Sequence, residues 1–509
     1  MRFFNQLHRT VSLFLCLAIA ASALTFAGFS AYAEENAAIP QSSWQMTVPQ
    51  IRVTTAEGNG TTLQKADGYQ NANITILGTD GSVLQDAVSF KVRGNTTAMT
   101  WVTKKAYTFK FEKKKDVLGM GKGKKWALIA NAFDPTLLRN YTAFAIADEL
   151  GLEYTSNRRF VELWVDDSFR GCYLLMEPVQ EGKDRVNIDI ESNDGKKDFL
   201  LEYEAMRVED DVTYFTTDGL RFIASEPEEP TEEQLEYIKS TTHDIINTMQ
   251  TGTRNEIEAK VDTDSFAKFY LLNEYLKTFD FDMSSVFFYY QNGKLYAGPP
   301  WDYDLSAGNG NPDYSARGVA THEPEGTFAN ARNLYKYLCK NAWFNEKVKE
   351  IYREHYGFFA NISADGGLLD SVREQYGDII ARNYHEAGWN AAKWWINIQL
   401  QPQKSYDGNY TFLKDWFSAR NAWMTEYYEV YPTVLLGDAD GNGTVNINDA
   451  TAVSRAVASF PFDDIEQLRL RGDVNLDGRL TVDDVTLLQQ YLADFTVEYA
   501  IGTMTKRGV

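Results

Sequence analysis

Cysteine is scarce, with three in 509 residues. Cys16 lies in an apolar amino-terminal stretch, which leaves Cys172 and Cys339. Two cysteines build neither a disulfide framework nor a cysteine-ligated zinc site. Two buried thiols are the expectation, and a Cys172–Cys339 pair is the alternative. Histidine is also sparse, at five residues, and no H-E-x-x-H pattern occurs, so zinc hydrolysis has no support. Basic residues are in deficit: 50 Lys and Arg face 71 Asp and Glu, a net charge of −21. Phosphate-backbone binding needs a basic face, so nucleic-acid binding is excluded. No G-x-x-x-x-G-K-[ST] loop is present. After residue 33 no apolar run is long enough to span a membrane.

What is present points to a large folded protein that handles cations. At roughly 150 residues per domain the length allows two to four domains. The hydrophobic share is 44% and the aromatic share 14%, enough for a sizeable core. Residues 1–33 read as a signal peptide. Arg2 and Arg9 precede an apolar run from Val11 to Phe26, and Ala31-Tyr32-Ala33 supplies a cleavage site. A retained membrane anchor is the alternative. Cleavage leaves a secreted, extracellular protein with no membrane segment.

Residues 44–431 read as one α+β body, rich in strands first and in helices later. Short β-type runs are expected at Gln50–Thr55, Ala72–Leu77, Ala87–Val92, Ala106–Phe111 and Trp126–Ile129. Pro135 to Gly151 reads as a helix with Asp134 as its N-cap. Two strands, Phe160–Val165 and Gly171–Met176, follow. Helices are expected over Thr231–Gln250 and Asp264–Lys277, and within 329–360 and 410–430. Ser285–Gln291 and Lys294–Ala297 read as a hairpin turning at Asn292-Gly293. Two lobes with a cleft between them follow from this order.

The hairpin has carboxylates on both sides: Asp280 and Asp282 before it, Asp302 and Asp304 after it. Folding the hairpin brings these pairs together. Four gathered carboxylates either bind divalent cations or divide acid and base roles; a solvated turn is the plain alternative.

A short linker, 432–436, leads to an acidic module at 437–496, followed by a tail at 497–509. The module is a duplication with an offset of 473 − 438 = 35 residues. Its loops run from Asp438 to Asp449 and from Asp473 to Asp484. Calcium takes six to eight oxygens, and a twelve-residue loop supplies them at positions 1, 3, 5, 7 and 12. Here these are Asp438, Asp440, Asn442, Thr444 and Asp449, then Asp473, Asn475, Asp477, Arg479 and Asp484. Thr444 and Arg479 contribute backbone carbonyls. Glycine at position 6, Gly443 and Gly478, permits the turn. Two copies in register leave little room for chance acidic turns.

With one helix after each loop and Asp at position 12, this module resembles type I dockerins. The resemblance implies a small all-α domain that binds two Ca2+ and docks on a cohesin module of a scaffoldin, as in a cellulosome. It implies partner-facing residues at Ile447, Asn448, Ser454 and Arg455, and at Val482, Asp483, Gln489 and Gln490. The two sets differ, so the two faces need not bind one cohesin equally.

In the large domain an ordered set of motifs occurs: Arg93-Gly94-Asn95-Thr96-Thr97, Lys104-Lys105-Ala106-Tyr107, Leu118-Gly119-Met120, Lys125-Trp126 through Asn131, Leu138-Arg139-Asn140, Gly171-Cys172 through Glu177, and Gly298-Pro299-Pro300-Trp301-Asp302-Tyr303-Asp304. Over roughly 50–430 this order resembles the spore-coat protein H (CotH) kinase family. The resemblance implies a divergent two-lobed kinase-like fold, ATP with Mg2+ or Mn2+, and phosphoryl transfer to a protein hydroxyl. It implies Lys105 on the phosphates, with Lys110 as a rival, and Glu177 near the adenine. It further implies Asp280 as the proton acceptor, Asp302 as the metal ligand and Asp304 as an added ligand. Arg93, Asn131 and Arg139 support the site or the structure. Kinases carry a metal-binding Asn five residues after the catalytic Asp. Position 285 is Ser here, with Asp282 or Ser285 as the substitute. Two other functions compete: a carbohydrate-active enzyme or binding module using Trp301, Trp394 and Trp395 in polysaccharide catabolism, and a non-catalytic structural component.

Overall fold

A computed structural model describes residues 46–191, 197–206, 212–310, 321–389, 405–429, 433–462 and 464–507. The signal segment 1–33, Trp44, Trp394 and Trp395 lie outside them. The chain divides into two compact units: one of residues up to Ile351 with Gly357–Ser418, and one of Tyr352–Tyr356 with Ala419–Val509.

The first unit begins with seven strands: β1 (Gln50–Thr55), β2 (Gln70–Leu77), β3 (Val83–Arg93), β4 (Ala106–Asp116), β5 (Lys122–Ile129), β6 (Arg158–Val165) and β7 (Ser168–Met176). They close into a barrel in the order β1-β2-β3-β4-β5-β7-β6. Closure comes from β1 pairing parallel to β6, with Ile51 opposite Leu163. A closed barrel leaves no unpaired edge. Period-two patterning fills it. In β2, Ala72, Ile74 and Ile76 are buried while Asn71 is exposed. Phe90, Tyr107, Phe109, Trp126 and Tyr173 complete the interior. All seven strands were expected, but the barrel was not.

Helix α1 (Arg139–Glu149) crosses between β5 and β6. It starts later than expected, and Asp134 does not cap it. Leu137 sits at φ +65°, which stops a helix from running through it. The Asp134 carboxylate accepts from Thr136 N and from Arg139 N instead.

A second sheet has the order β12-β11-β8-β10-β9. Its members are β8 (Phe199–Tyr203), β9 (Tyr214–Thr217), β10 (Leu220–Glu226), β11 (Val286–Gln291) and β12 (Lys294–Ala297). The hairpin β11–β12 is the expected one, with Asn292 and Gly293 both at positive φ, as a primed two-residue turn requires. Strands β8 to β10 were not expected. The helices that follow are α2 (Glu232–Thr251), α3 (Arg254–Lys260), α4 (Thr263–Leu276), α5 (Tyr335–Leu338), α6 (Ala342–Glu354), α7 (Tyr356–Asn361), α8 (Leu368–His385) and α9 (Tyr406–Tyr427). Of these, α2 to α4 pack against the second sheet, while α8 packs against β7 of the barrel. Thr231 caps α2 in a capping box with Gln234, and Asp262 caps α4. Cys172 and Cys339 are free thiols. Among the described residues no helix is long and apolar enough to cross a membrane.

The second unit holds the duplicated loops. Helices α10 (Ile447–Val457), α11 (Ile465–Gly472) and α12 (Val482–Leu492) pack on Leu436, Ala439, Val453, Val474, Leu488 and Ile501. It is not all-α. β13 (Thr433–Leu435) pairs antiparallel with β14 (Met504–Lys506). Residues 433–435 of the segment read as a linker thus form a strand that leads into buried Leu436, and the segment read as a tail returns to it. Gly502 N donates to Leu436 O, and Leu436 N donates to Thr503 O. Burial of Ile501 supplies the apolar reason.

Candidate functional site

Three of the four carboxylates around the hairpin meet in one cleft of about 730 Å³, counted to its open mouth. Asp280, Asp302 and Asp304 line it, opposite Arg93, Asn95, Thr96 and Thr97 from the end of β3. Asp280 stands on a tight turn, Phe279–Asp282, anchored by buried Phe281. Asp302 and Ser285 hold φ of +68° and +62°, and cleft-lining Asn131 holds +47°. Left-handed backbone at non-glycine residues is costly and gathers where geometry is over-determined.

The support behind the carboxylates is dense. The Asn140 side chain accepts from Tyr303 N at 2.8 Å and donates to Asn131 Oδ1 at 2.9 Å. Asn309 Nδ2 donates to Asp304 O and to Phe133 O. Arg139 ion-pairs with Asp134 at 2.6 Å and donates to Ser306 O and Ala307 O. These buried amide and guanidinium groups fix the 301–307 segment to the start of α1.

The electrostatics of the cleft are unbalanced. Burial pushes the Asp304 carboxyl well above the usual range, and the charges of Asp302, Asp280 and Asp134 push it further. The half-buried Arg93 guanidinium interacts with Asp302 across this cleft. Burial pulls its pKa down, while the Asp302 charge opposes that. Arg93 also lies 5.0 Å over the Trp301 ring, which occupies a face of the indole that sugar stacking would use. Gly94, at φ +90°, keeps the 93–97 turn tight, since a Cβ there would lie 2.0 Å from Thr97 Oγ1.

Other expected site residues lie elsewhere. Lys105 Nζ donates to Ala98 O at 3.0 Å and Met99 O at 2.6 Å, so it braces the 93–99 turn and does not line the cleft. Lys110 is exposed on β4, opposite Lys125. Glu177 is buried against Arg185 at 3.6 Å and accepts from Asn157; its neighbour Met176 lines the cleft instead. Asp282 turns to Arg332 at 3.2 Å and to Asn333 N. Ser285 Oγ, by contrast, reaches Asp302 Oδ2 at 3.3 Å. Sequence reasoning assigned no role to Asn95, Thr96, Thr97 or Asn140, although the motifs that contain them were visible. A wider acidic cleft of about 1210 Å³ shares Asn95 and is lined by Pro178, Val179 and Gln180, with Glu202, Glu204 and Glu226 among others.

In the second unit the first loop brings ligand atoms of Asp438, Asp440 and Asp449 within 4.8 Å of one another. Gly443 N donates to Asp438 Oδ2, while Asp438 Oδ1 is buried with no partner among the described residues. An orphaned buried carboxylate oxygen beside two further carboxylates fits a hard cation. Asp449 accepts from Asp440 N and Asn446 N. The second loop repeats this with Gly478 N on Asp473, and Val474 N and Thr481 N on Asp484. Burial raises the pKa of both Asp449 and Asp484. Asn442, Thr444, Asn475, Asp477 and Arg479 occupy their loop positions at the surface. Ile447, Asn448, Ser454, Arg455, Val482, Asp483, Gln489 and Gln490 are all exposed.

No curated protein matches the chain. Two family models do: CotH kinase protein over residues 90–424 and dockerin type I domain over residues 436–493. The first spans the whole carboxylate cleft and the second both loops, so the chain belongs to the CotH kinase protein family and ends in a type I dockerin domain.

Proposed function

We propose that this is a secreted, metal-dependent protein phosphotransferase tethered by calcium-dependent cohesin binding to a cellulosome scaffold. The dockerin domain implies the calcium and cohesin part directly. The observation that carries the catalytic part is the convergence of Asp280, Asp302 and Asp304 with Arg93 in one cleft.

The residues fit a hard divalent cation. Burial first, and the neighbouring charges of Asp302 and Asp280 next, hold Asp304 towards its protonated form, which a cation would reverse. Asp302 and Asp304 would hold Mg2+ or Mn2+, which when bound neutralises charge on the phosphates of ATP. Asp280 accepts the proton of the acceptor hydroxyl. Arg93 supplies the fixed positive charge that strand lysines supply in other kinases, and the 93–97 turn offers hydroxyls and backbone N–H groups to phosphate oxygens. Ser285, through Asp302, takes the place of the missing asparagine. The linings of the two clefts share Asn95, which supports a nucleotide bound with its base beside Pro178–Gln180 and its phosphates beside Asp302.

The test is calorimetric titration with ATP plus Mg2+ or Mn2+, run beside Asp302→Ala at constant calcium. Metal-dependent binding lost in the variant is the expected result. No binding in either metal sinks the phosphotransferase reading and leaves a docked, non-catalytic component or a carbohydrate-acting one.

A further inference from the structure

The two calcium loops match in sequence but not in surroundings. In the first, Asp438 Oδ1 is buried and unpartnered, and the loop's carboxylates face one another. Arg471 lies beside Gly441 but makes no ion pair among the described residues. In the second, the corresponding Asp473 is already engaged on both oxygens. Oδ1 accepts from Asp477 N at 3.1 Å, and Oδ2 accepts from Gly478 N at 3.0 Å. Arg507 Nη2 adds a third contact, an ion pair with Asp473 Oδ2 at 2.6 Å.

Arg507 is placed there by the fold. It follows β14, whose pairing with β13 brings the carboxy-terminal segment back across the unit. Arg507 is buried, and its Nε has no partner among the described residues. A guanidinium held against a loop's first carboxylate puts a fixed positive charge beside a site meant for a doubly positive ion. It also removes part of the mutual carboxylate repulsion that calcium would relieve.

We propose that Arg507 makes the second loop the weaker calcium site, so that the two loops fill in order, Asp438–Asp449 first. Like charges a few ångströms apart at the partly shielded edge of a domain predict a gap of roughly tenfold in affinity. The exposed face on α10, at Ile447 and Asn448, is therefore set at lower calcium than the face on α12, at Val482 and Asp483. The carboxy-terminal segment acts as a built-in calcium antagonist of one loop.

Calcium titration of the full chain by calorimetry tests this, with Asp484→Asn to identify the second-loop step. Two steps are expected in the parent, and D484N removes the weaker. Arg507→Gln and Arg507→Met both tighten the weaker step roughly tenfold and leave the stronger unchanged. Arg507→Lys keeps the charge and stays near the parent. The proposal is overturned if D484N removes the tighter step, if both neutral variants leave the weaker step unchanged or weaken it, or if Lys behaves like Gln.

Discussion

The Ser285 hydroxyl lies 3.3 Å from Asp302 Oδ2, and both residues hold left-handed backbone. Ser285 N–H is itself held by Glu202 Oε1 of β8. The residue five positions after Asp280 thus touches the metal-ligand candidate without being an asparagine. Two strained turns are oriented towards each other by the sheet that separates them in sequence.

Asp280 and Asp302 should fail differently. Asp302→Ala is expected to abolish metal-dependent ATP binding. Asp280→Asn should retain it while turnover falls by roughly 10²–10⁴-fold, the usual worth of a positioned proton acceptor. Calorimetry beside a phosphate-release assay separates the two, and equal loss of binding in both variants would contradict the roles.

Arg93 and Lys105 should also separate. Arg93→Gln is expected to weaken ATP binding, because Arg93 lines the cleft. Lys105→Met should chiefly lower stability, because its ammonium serves two carbonyls of the adjoining turn. A denaturant midpoint and a binding isotherm for each variant decide it. Loss of ATP affinity without loss of stability in the Lys105 variant would return that lysine to the phosphates.

Asp304 sets a pH dependence. Its folded, metal-free pKa is raised by burial first and by neighbouring carboxylates next. The folded state therefore holds a proton that the unfolded chain has released above about pH 4. That contribution is fully present below the unfolded pKa and is lost as pH rises towards the folded value. Mg2+ or Mn2+ competes with this proton, so their stabilisation should grow with pH. Calorimetry in buffers of different ionisation enthalpy should detect proton release on binding, and Asp304→Asn should remove it.

The Arg139–Asp134 pair is buried on both sides. Removing one partner strands the other, so Asp134→Ala should cost about 3–5 kcal/mol. Urea unfolding of the full chain measures this. A cost below about 1 kcal/mol, the value of an exposed pair, would show that the pair does not anchor the 301–307 segment.

Much of this was legible locally. Short β-type runs split by turn residues marked the seven barrel strands, Asn-Gly marked the β11–β12 turn, and the 35-residue repeat marked both calcium loops. Strand β8 was not legible because it pairs with β11, joining Tyr203 to Val286; no local pattern encodes a partner so far along the chain. Strands β9 and β10 form a local hairpin, and its Asp218-Gly219 turn, with both residues at positive φ, is a signal that went unused. Lys105 and Glu177 lie off the cleft lining for a related reason. A motif gives residue order, but whether a side chain faces the cleft or a neighbouring carbonyl depends on how adjacent turns pack.

The sequence by itself determined the barrel strands, the β11–β12 hairpin, the paired carboxylates, the calcium loops and the family resemblance, because propensity, spacing and turn chemistry are local. Only the tertiary structure decided that β1 meets β6 to close a barrel. It also put Asp280, Asp302 and Asp304 in one cleft while turning Asp282 to Arg332, and laid Arg507 against Asp473. Each of these is a long-range contact, selected by burial and charge pairing across the fold rather than by neighbours in the chain.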